Sequence, residues 1–218
     1  MRAVSLLAPL LFVPLAAAGD ADEPHPHTGV VPAFKGAPPE LSITAAEEAT
    51  LKTGQAVRKQ VRYDDDSGGR GVAIMDVAAP TDIIWSKIGN YSAYPSWIDN
   101  LSTCEIYEKD GQDVYVYFKA SVVGFPVEWW IKHDFQTAKG YVTWTLDYRR
   151  NSDLHDSVGY WRVTELSADP PLSRIEYSVD LRVSGWVPGA IEDMLANKGL
   201  VEATEWVKKQ SEKEAQAK

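Results

Sequence analysis

Residues 172–184 alternate apolar and polar without a break, and the chain then passes straight into helical spacing. Ile175, Tyr177, Val179, Leu181 and Val183 share one parity; Glu176, Ser178, Asp180, Arg182 and Ser184 share the other. A period of two marks a strand buried on one face and wetted on the other. Beyond the Gly185–Gly189 joint, Val187, Ile191, Met194 and Leu195 form one helical stripe. Past Gly199 the apolar set rotates to Leu200, Ala203 and Val207. One straight helix cannot keep a single buried face through that change. The spacing therefore predicts a bend near Lys198-Gly199 or a different neighbour for the last turns. From Lys208 onward the sequence is charged and is expected to fray. A sheet finished by one long helix encloses a concave interior that is hard to fill.

The strands upstream fit such a sheet. Segments 102–109, 113–123, 126–136, 141–150 and 157–167 are separated by turn signals: Asp110-Gly111, Gly124, Lys139-Gly140, Asn151-Ser152-Asp153 and Asp169-Pro170-Pro171. Spacing this regular predicts antiparallel pairing by successive hairpins. Two more strands, 55–62 and 70–78, flank Asp64-Asp65-Asp66-Ser67-Gly68-Gly69. That loop lacks the ligand alternation and distal glutamate of a calcium loop, so it reads as a hairpin turn. Residues 42–52 resemble a short helix with Ser42 as its cap. Pro80, Asp82 and Gly89-Asn90 bound a helix carrying Ile84, Trp85 and Ile88, and a second short helix spans 92–98 with Tyr94, Trp97 and Ile98.

With 31 acidic against 22 basic side chains, the formal charge is −9. Such a surface repels phosphate backbones and excludes nucleic acid as a natural partner. Arg2, the apolar stretch Ala3–Leu15 and the A-x-A site Ala16-Ala17-Ala18 read as a signal peptide over 1–18, so the chain is expected to be exported, periplasmic or secreted. Cys104 is the single cysteine, so no disulfide is available and the fold must stand on its core. Its apolar neighbours make it a buried hydrophobe rather than a reactive thiol. Residues 19–41 hold five prolines and no periodicity, which predicts a flexible or extended leader before a domain over 42–210 and a charged tail over 211–218. The leader carries His25 and His27. Two imidazoles fall short of the three or four convergent ligands that zinc needs, so they read as part of a solvated tail and no metal is expected.

The segment "VAIMDVAAPTDIIWSKIGNYSAYPSWIDNL" at 72–101 resembles the opening of START-like proteins of the SRPBCC superfamily. In that pattern a strand ends in Ala-Pro, a Trp follows in the first helix (Trp85), and an aromatic-Pro pair opens the second (Tyr94-Pro95). "GFPVEWWIKHDF" at 124–135 is similar to that superfamily's central strands. The resemblance spans roughly 51–210. It implies an α+β helix-grip fold, with a curved antiparallel sheet, two short helices and a long C-terminal helix around a cavity. It also implies binding of lipids, sterols, quinones or polyketides there, by carriers in some members and by cyclases or hydrolases in others. The coenzyme-Q-binding and polyketide cyclase-like branches are the nearest, and the residues leave the choice between them open.

Strand parity nominates the cavity wall. Val127, Trp129, Ile131, His133 and Phe135 share one face of 126–136, opposite Glu128, Trp130, Lys132, Asp134 and Gln136. Val142, Trp144, Leu146 and Tyr148 continue that wall, and Tyr177 and Val179 add to it. Strands 113–123 and 157–167 carry large apolar groups on both faces. The candidate ligand-binding set is thus Trp129, Ile131, His133, Trp144, Tyr148, Tyr177 and Val179, with Ile191, Met194 and Leu195 from the helix. Asp134 points away from His133, and the chain has no nucleophile elbow, phosphate loop or metal spacing, so no catalytic residue and no cofactor is expected. The favoured reading is a carrier of a hydrophobic small molecule or lipid, touching membranes only transiently. A cyclase or dehydratase using the same cavity and an interaction module with a filled core are the alternatives.

Overall fold

The computed structural model describes residues 19–63, 68–122, 125–183 and 199–217. Eight strands form one antiparallel sheet: β1 (Val57–Arg62), β2 (Gly68–Val77), β3 (Leu101–Asp110), β4 (Asp113–Val122), β5 (Phe125–Gln136), β6 (Tyr141–Leu146), β7 (Leu154–Ala168) and β8 (Pro171–Val183). Their order across the sheet is β1-β2-β8-β7-β6-β5-β4-β3. The hairpin meander expected from the turn spacing is present, and β8 leaves it to pair with β2. Helices α1 (Ala45–Lys52), α2 (Thr81–Ile88), α3 (Tyr94–Trp97) and α4 (Gly199–Ala215) complete the described elements, with a 3-10 turn at Tyr91–Ala93 before α3. The chain is α+β with the helix-grip arrangement that the resemblance implied.

One face of the sheet packs on α2, α3 and α4. Ala73, Met75 and Val77 of β2, Val116 of β4, Ile131 of β5, Trp144 and Leu146 of β6, and Ile175 of β8 are buried there with Ile84, Leu200, Trp206 and Val207. Burying this much apolar surface is the main driving force of folding. Cys104 lies in the same core, and burial raises its thiol pKa, as the reading of a buried hydrophobe requires. The α1 cap is Thr44 rather than Ser42. Its hydroxyl accepts from the Glu47 amide while Glu47 reaches back to Thr44, a capping box that Ser42 is too far upstream to make.

The sheet's other face is not left to water. Leu51 of α1 packs with Val57, Val72 and Ile74, joined by Leu41 and Ile43. Residues 19–41 run as turns, bends and irregular backbone, and they are fastened to the sheet. Asp20 pairs in antiparallel fashion with Asn151, and the His25 amide donates to the Tyr148 carbonyl at 3.1 Å. Val30 and Val31 amides both donate to Asp156 Oδ2 at 2.7 Å, Phe34 packs edge-on against Tyr160, and Arg162 donates to the Pro38 and Pro39 carbonyls. Prolines give the segment no ladder of its own, so side chains and loop carbonyls hold it instead. Trp130, expected on a wetted face, is buried against Tyr117 and Gly19 for the same reason. Ser178 and Glu176 of β8 are likewise buried.

The charged end does not fray. α4 continues to Ala215, with Ser211 fully buried and Lys208 Nζ donating to the Asp76 carbonyl at 2.5 Å. Glu212 accepts from the Ala78 amide at 3.1 Å, and Lys87 pairs with Glu214. The signal peptide over 1–18, the acidic loop 64–67, the helical stripe Val187, Ile191, Met194 and Leu195, and the joint at Lys198 lie outside the described residues. No helix among the described residues is long and apolar enough to cross a membrane.

Candidate functional site

Between the sheet and its helices the aromatic side chains form a closed circuit. His133 on β5 lies 6.0 Å from Trp144 on β6, ring centre to ring centre, and Trp144 lies 5.6 Å from Tyr177 on β8. Tyr177 meets Trp161 on β7 at 4.5 Å, and Trp161 meets Trp206 of α4 at 6.3 Å. Trp206 touches Tyr94 at 4.5 Å, Tyr94 touches Tyr91 at 5.2 Å, and Tyr91 returns to His133 at 5.2 Å. Phe118 of β4 stacks on Trp129 at 5.3 Å and extends the circuit toward the outer strands. Register produces this alignment: Trp144 sits opposite His133, and Tyr177 opposite Trp161.

Gly159 makes room for the arrangement. A methyl group there would lie 2.1 Å from Trp144 Cζ2, so the missing side chain lets the indole lie across β7. Trp144 Nε1 donates to Ser157 Oγ at 3.3 Å, which fixes the ring. Gly71 does the same for the helix, since Leu200 of α4 approaches to 3.2 Å of where its Cβ would stand.

This aromatic layer carries no formal charge near neutral pH. Burial drives the His133 pKa down to about 3, against a smaller upward pull from the Val114 backbone, so its imidazole is neutral. Burial raises the phenols of Tyr91, Tyr94 and Tyr177, which stay protonated. His133 Nδ1 is buried and finds no hydrogen-bond partner among the described residues.

The structure brings together Trp129, Ile131, His133, Trp144, Tyr177 and Val179 on the inner face, as parity placed them. Tyr148 packs against the same core from its edge, beyond the end of β6 at Leu146, while its hydroxyl donates to Asp156 at 2.7 Å and its ring lies 5.9 Å from both His25 and His27. Ile191, Met194 and Leu195 lie outside the described residues. Tyr91, Tyr94, Phe118, Trp161 and Trp206 lie outside the set that parity nominates. For Trp161 a signal existed, because it shares the parity of Gly159 and Val163.

A curved antiparallel sheet gripping a C-terminal helix over a layer of buried aromatic side chains defines the START-like class. Residues 72–212 match the family model described as polyketide cyclase / dehydrase and lipid transport, and the chain belongs to that family. No curated protein matches the sequence. Among solved structures, a STAR-related lipid transfer protein from Xanthomonas axonopodis superposes with a TM-score of 0.59 at 11% identity, covering 71% of this chain and 92% of that one. A START superfamily protein from Mycobacterium smegmatis gives 0.52 at 17% identity, covering 72% and 97%. The Zhui aromatase/cyclase from Streptomyces sp. R1128 gives 0.51 at 16% identity, covering 74% and 94%. At such identities the likeness establishes the fold.

Proposed function

We propose that this protein binds an uncharged hydrophobic small molecule between the sheet and the C-terminal helix, and carries or sequesters it outside the cytoplasm. The observation that carries this reading is His133 Nδ1, a buried polar atom set among aromatic rings and without a hydrogen-bond partner among the described residues. Buried polar groups are nearly always satisfied, and an orphan in a native interior calls for an explanation. A ligand with an apolar body and one hydroxyl or carbonyl facing His133 supplies it. Removing a few hundred Å² of such a ligand from water is worth several kcal/mol at ~25 cal/mol per Å². The family description, lipid transport, and the lipid transfer protein among the structural relatives support the ligand class. The signal-like residues 1–18 support export, where a lipid needs shielding and a carrier meets membranes only while loading and unloading.

The same family description names cyclisation and dehydration. That second reading asks His133 to exchange protons with substrate. A general acid–base works best with a pKa near the working pH, and a value of about 3 leaves His133 a weak base with no imidazolium to act as acid at neutrality. Binding without turnover is therefore preferred. Native mass spectrometry of the purified protein, before and after incubation with a mixture of lipids and quinones, tests the proposal. An organic-extractable adduct is expected. A protein that stays empty through both measurements overturns the reading and leaves a filled core. His133→Ala separates the remaining pair: weakened binding with no reaction to lose supports a carrier, and abolished turnover with retained binding supports an enzyme.

A further inference from the structure

On the side of the sheet away from the aromatic layer, the leader sets two imidazoles against a third. His25 and His27, separated by Pro26, meet His155 at the start of β7. Ring centres lie 4.5 Å apart for His25–His27 and 4.4 Å for His27–His155. One ring nitrogen from each residue lies within 4.8 Å of the other two. On a tetrahedral zinc with bonds of about 2.0–2.1 Å, three imidazole nitrogens stand roughly 3.3 Å apart. The cluster is therefore close to a ligand set, and small side-chain rotations complete it.

The hydrogen bonds around it have the pattern of a supported site. His25 Nε2 lies 2.9 Å from the His155 carbonyl, which can only accept, so Nε2 carries the hydrogen and Nδ1 holds the lone pair. Metal-bound histidines are oriented in this way, through a donated bond from the other nitrogen. Among the described residues, the donor to His25 Nδ1 is a long contact from the Ser152 amide at 3.4 Å. His27 Nε2 is buried and has no partner among the described residues. Its Nδ1 accepts from the Gly29 amide at 3.0 Å. Nε2 therefore carries the ring hydrogen in the metal-free chain, and metal uptake there displaces that hydrogen and the Gly29 contact with it. Asp156, next to His155, grips the same stretch of leader through the Val30 and Val31 amides and the Tyr148 hydroxyl.

We propose that His25, His27 and His155 bind one divalent transition-metal ion of the zinc class, and that the ion staples the leader to the sheet. Imidazole donors suit Zn²⁺, Cu²⁺, Ni²⁺ and Co²⁺, and exclude Mg²⁺ and Ca²⁺ as natural occupants. Three protein ligands leave a fourth position for water. The staple joins residues far apart in sequence, so it acts on stability and on leader docking, independently of the aromatic layer.

The test uses untagged protein stripped with a chelator and titrated with Co²⁺, then Zn²⁺. One equivalent of Co²⁺ is expected to give the visible absorption of tetrahedral coordination, and Zn²⁺ to displace it. Zinc at a hundredfold excess over its Kd should raise the Tm by roughly 5–10 °C. His27→Ala and His155→Ala should each weaken zinc binding at least about tenfold. His27→Gln, on a half-exposed leader residue, repeats the first variant with little risk to folding, which circular dichroism checks. Absence of tetrahedral Co²⁺ binding in the wild-type protein overturns the proposal. Binding undiminished in folded His155→Ala overturns it as well, because the His-Pro-His pair alone would then suffice.

Discussion

Trp144 lies across Gly159, with the indole occupying the space where any side chain on that residue would stand. A methyl group at 159 would meet Trp144 Cζ2 at 2.1 Å and the Ser178 carbonyl oxygen at 2.4 Å. The first partner is a buried ring and the second is backbone in the middle of the sheet, so neither can move freely. Gly159→Ala is expected to destabilise the fold by about 3 kcal/mol, the upper end of overpacking effects. Denaturant unfolding followed by tryptophan fluorescence measures it. The variant should also lose hydrophobic-ligand uptake, because Trp144 sits between His133 and Tyr177 in the circuit. A loss below about 0.5 kcal/mol would show that the sheet gives way here at low cost.

The buried imidazole of His133 ties stability to pH. Its pKa falls from 6.5 in the unfolded chain to about 3 in the fold. A group depressed in this way contributes fully above the unfolded value and loses its contribution as pH falls, since the unfolded chain binds a proton that the fold refuses. Stability should be level above pH 7 and decline between about 6.5 and about 3. The slope is up to about 1.4 kcal/mol per pH unit, which amounts to about 2 kcal/mol at pH 5. His25 and His155, also lowered by burial, act in the same direction. The signature of His133 is therefore the difference between wild type and His133→Leu. The variant should flatten the pH 4–6.5 limb by about one proton, read from urea midpoints across that range. Equal slopes would mean that position 133 is protonated in the fold.

The end of α4 is expected to matter more than its composition suggests. Removing 211–218 deletes a fully buried Ser211, the acceptor for the Ala78 amide and the partner of Lys87, and it strips Ala215 from the core. The loss should be about 2 kcal/mol, a sum of modest terms because the polar partners are half exposed. Thermal unfolding of the shortened chain measures it. An unchanged Tm would restore the view of these residues as a solvated tail.

The inner wall was legible because its chemistry is local. Alternation in 126–136 and 172–184 states which side chains face inward, and the structure places His133, Trp144 and Tyr177 there. Tyr148 reaches the same core only at its edge and turns its hydroxyl to Asp156, because parity holds only while a strand lasts and β6 ends two residues earlier. Tyr91, Phe118 and Trp206 were hidden for other reasons. One sits in a 3-10 turn without a period, one on a strand with large groups on both faces, and one beyond a rotated helical stripe. The leader was the largest departure. Prolines and polar residues predict a chain that cannot fold by itself, and this one does not; it is held by Asp156, Arg162 and Tyr148, whose sequence positions lie more than a hundred residues away. Long-range polar fastening has no periodic trace. For the same reason the third imidazole, His155, could not be joined to His25 and His27 from spacing.

That fastening converges on Asp156, which accepts from the Val30 and Val31 amides and the Tyr148 hydroxyl at 2.7 Å and from the Ser157 amide at 2.8 Å. Hydrogen bonds to a carboxylate are roughly twice as strong as neutral ones, and deleting it strands four donors together. Asp156→Ala is expected to cost about 3 kcal/mol; Asp156→Asn, which keeps one acceptor oxygen, should cost less. The informative readout is local. Lys35, four residues after Val31 and exposed, offers trypsin a site that is protected only while the flanking chain stays docked. Cleavage there should accelerate by about tenfold or more in Asp156→Ala, as a loss of 1.4 kcal/mol or greater in docking requires when opening is fast. The sheet itself should remain uncut. Equal cleavage in wild type and variant would mean that Phe34 and Arg162 hold the leader without help from Asp156.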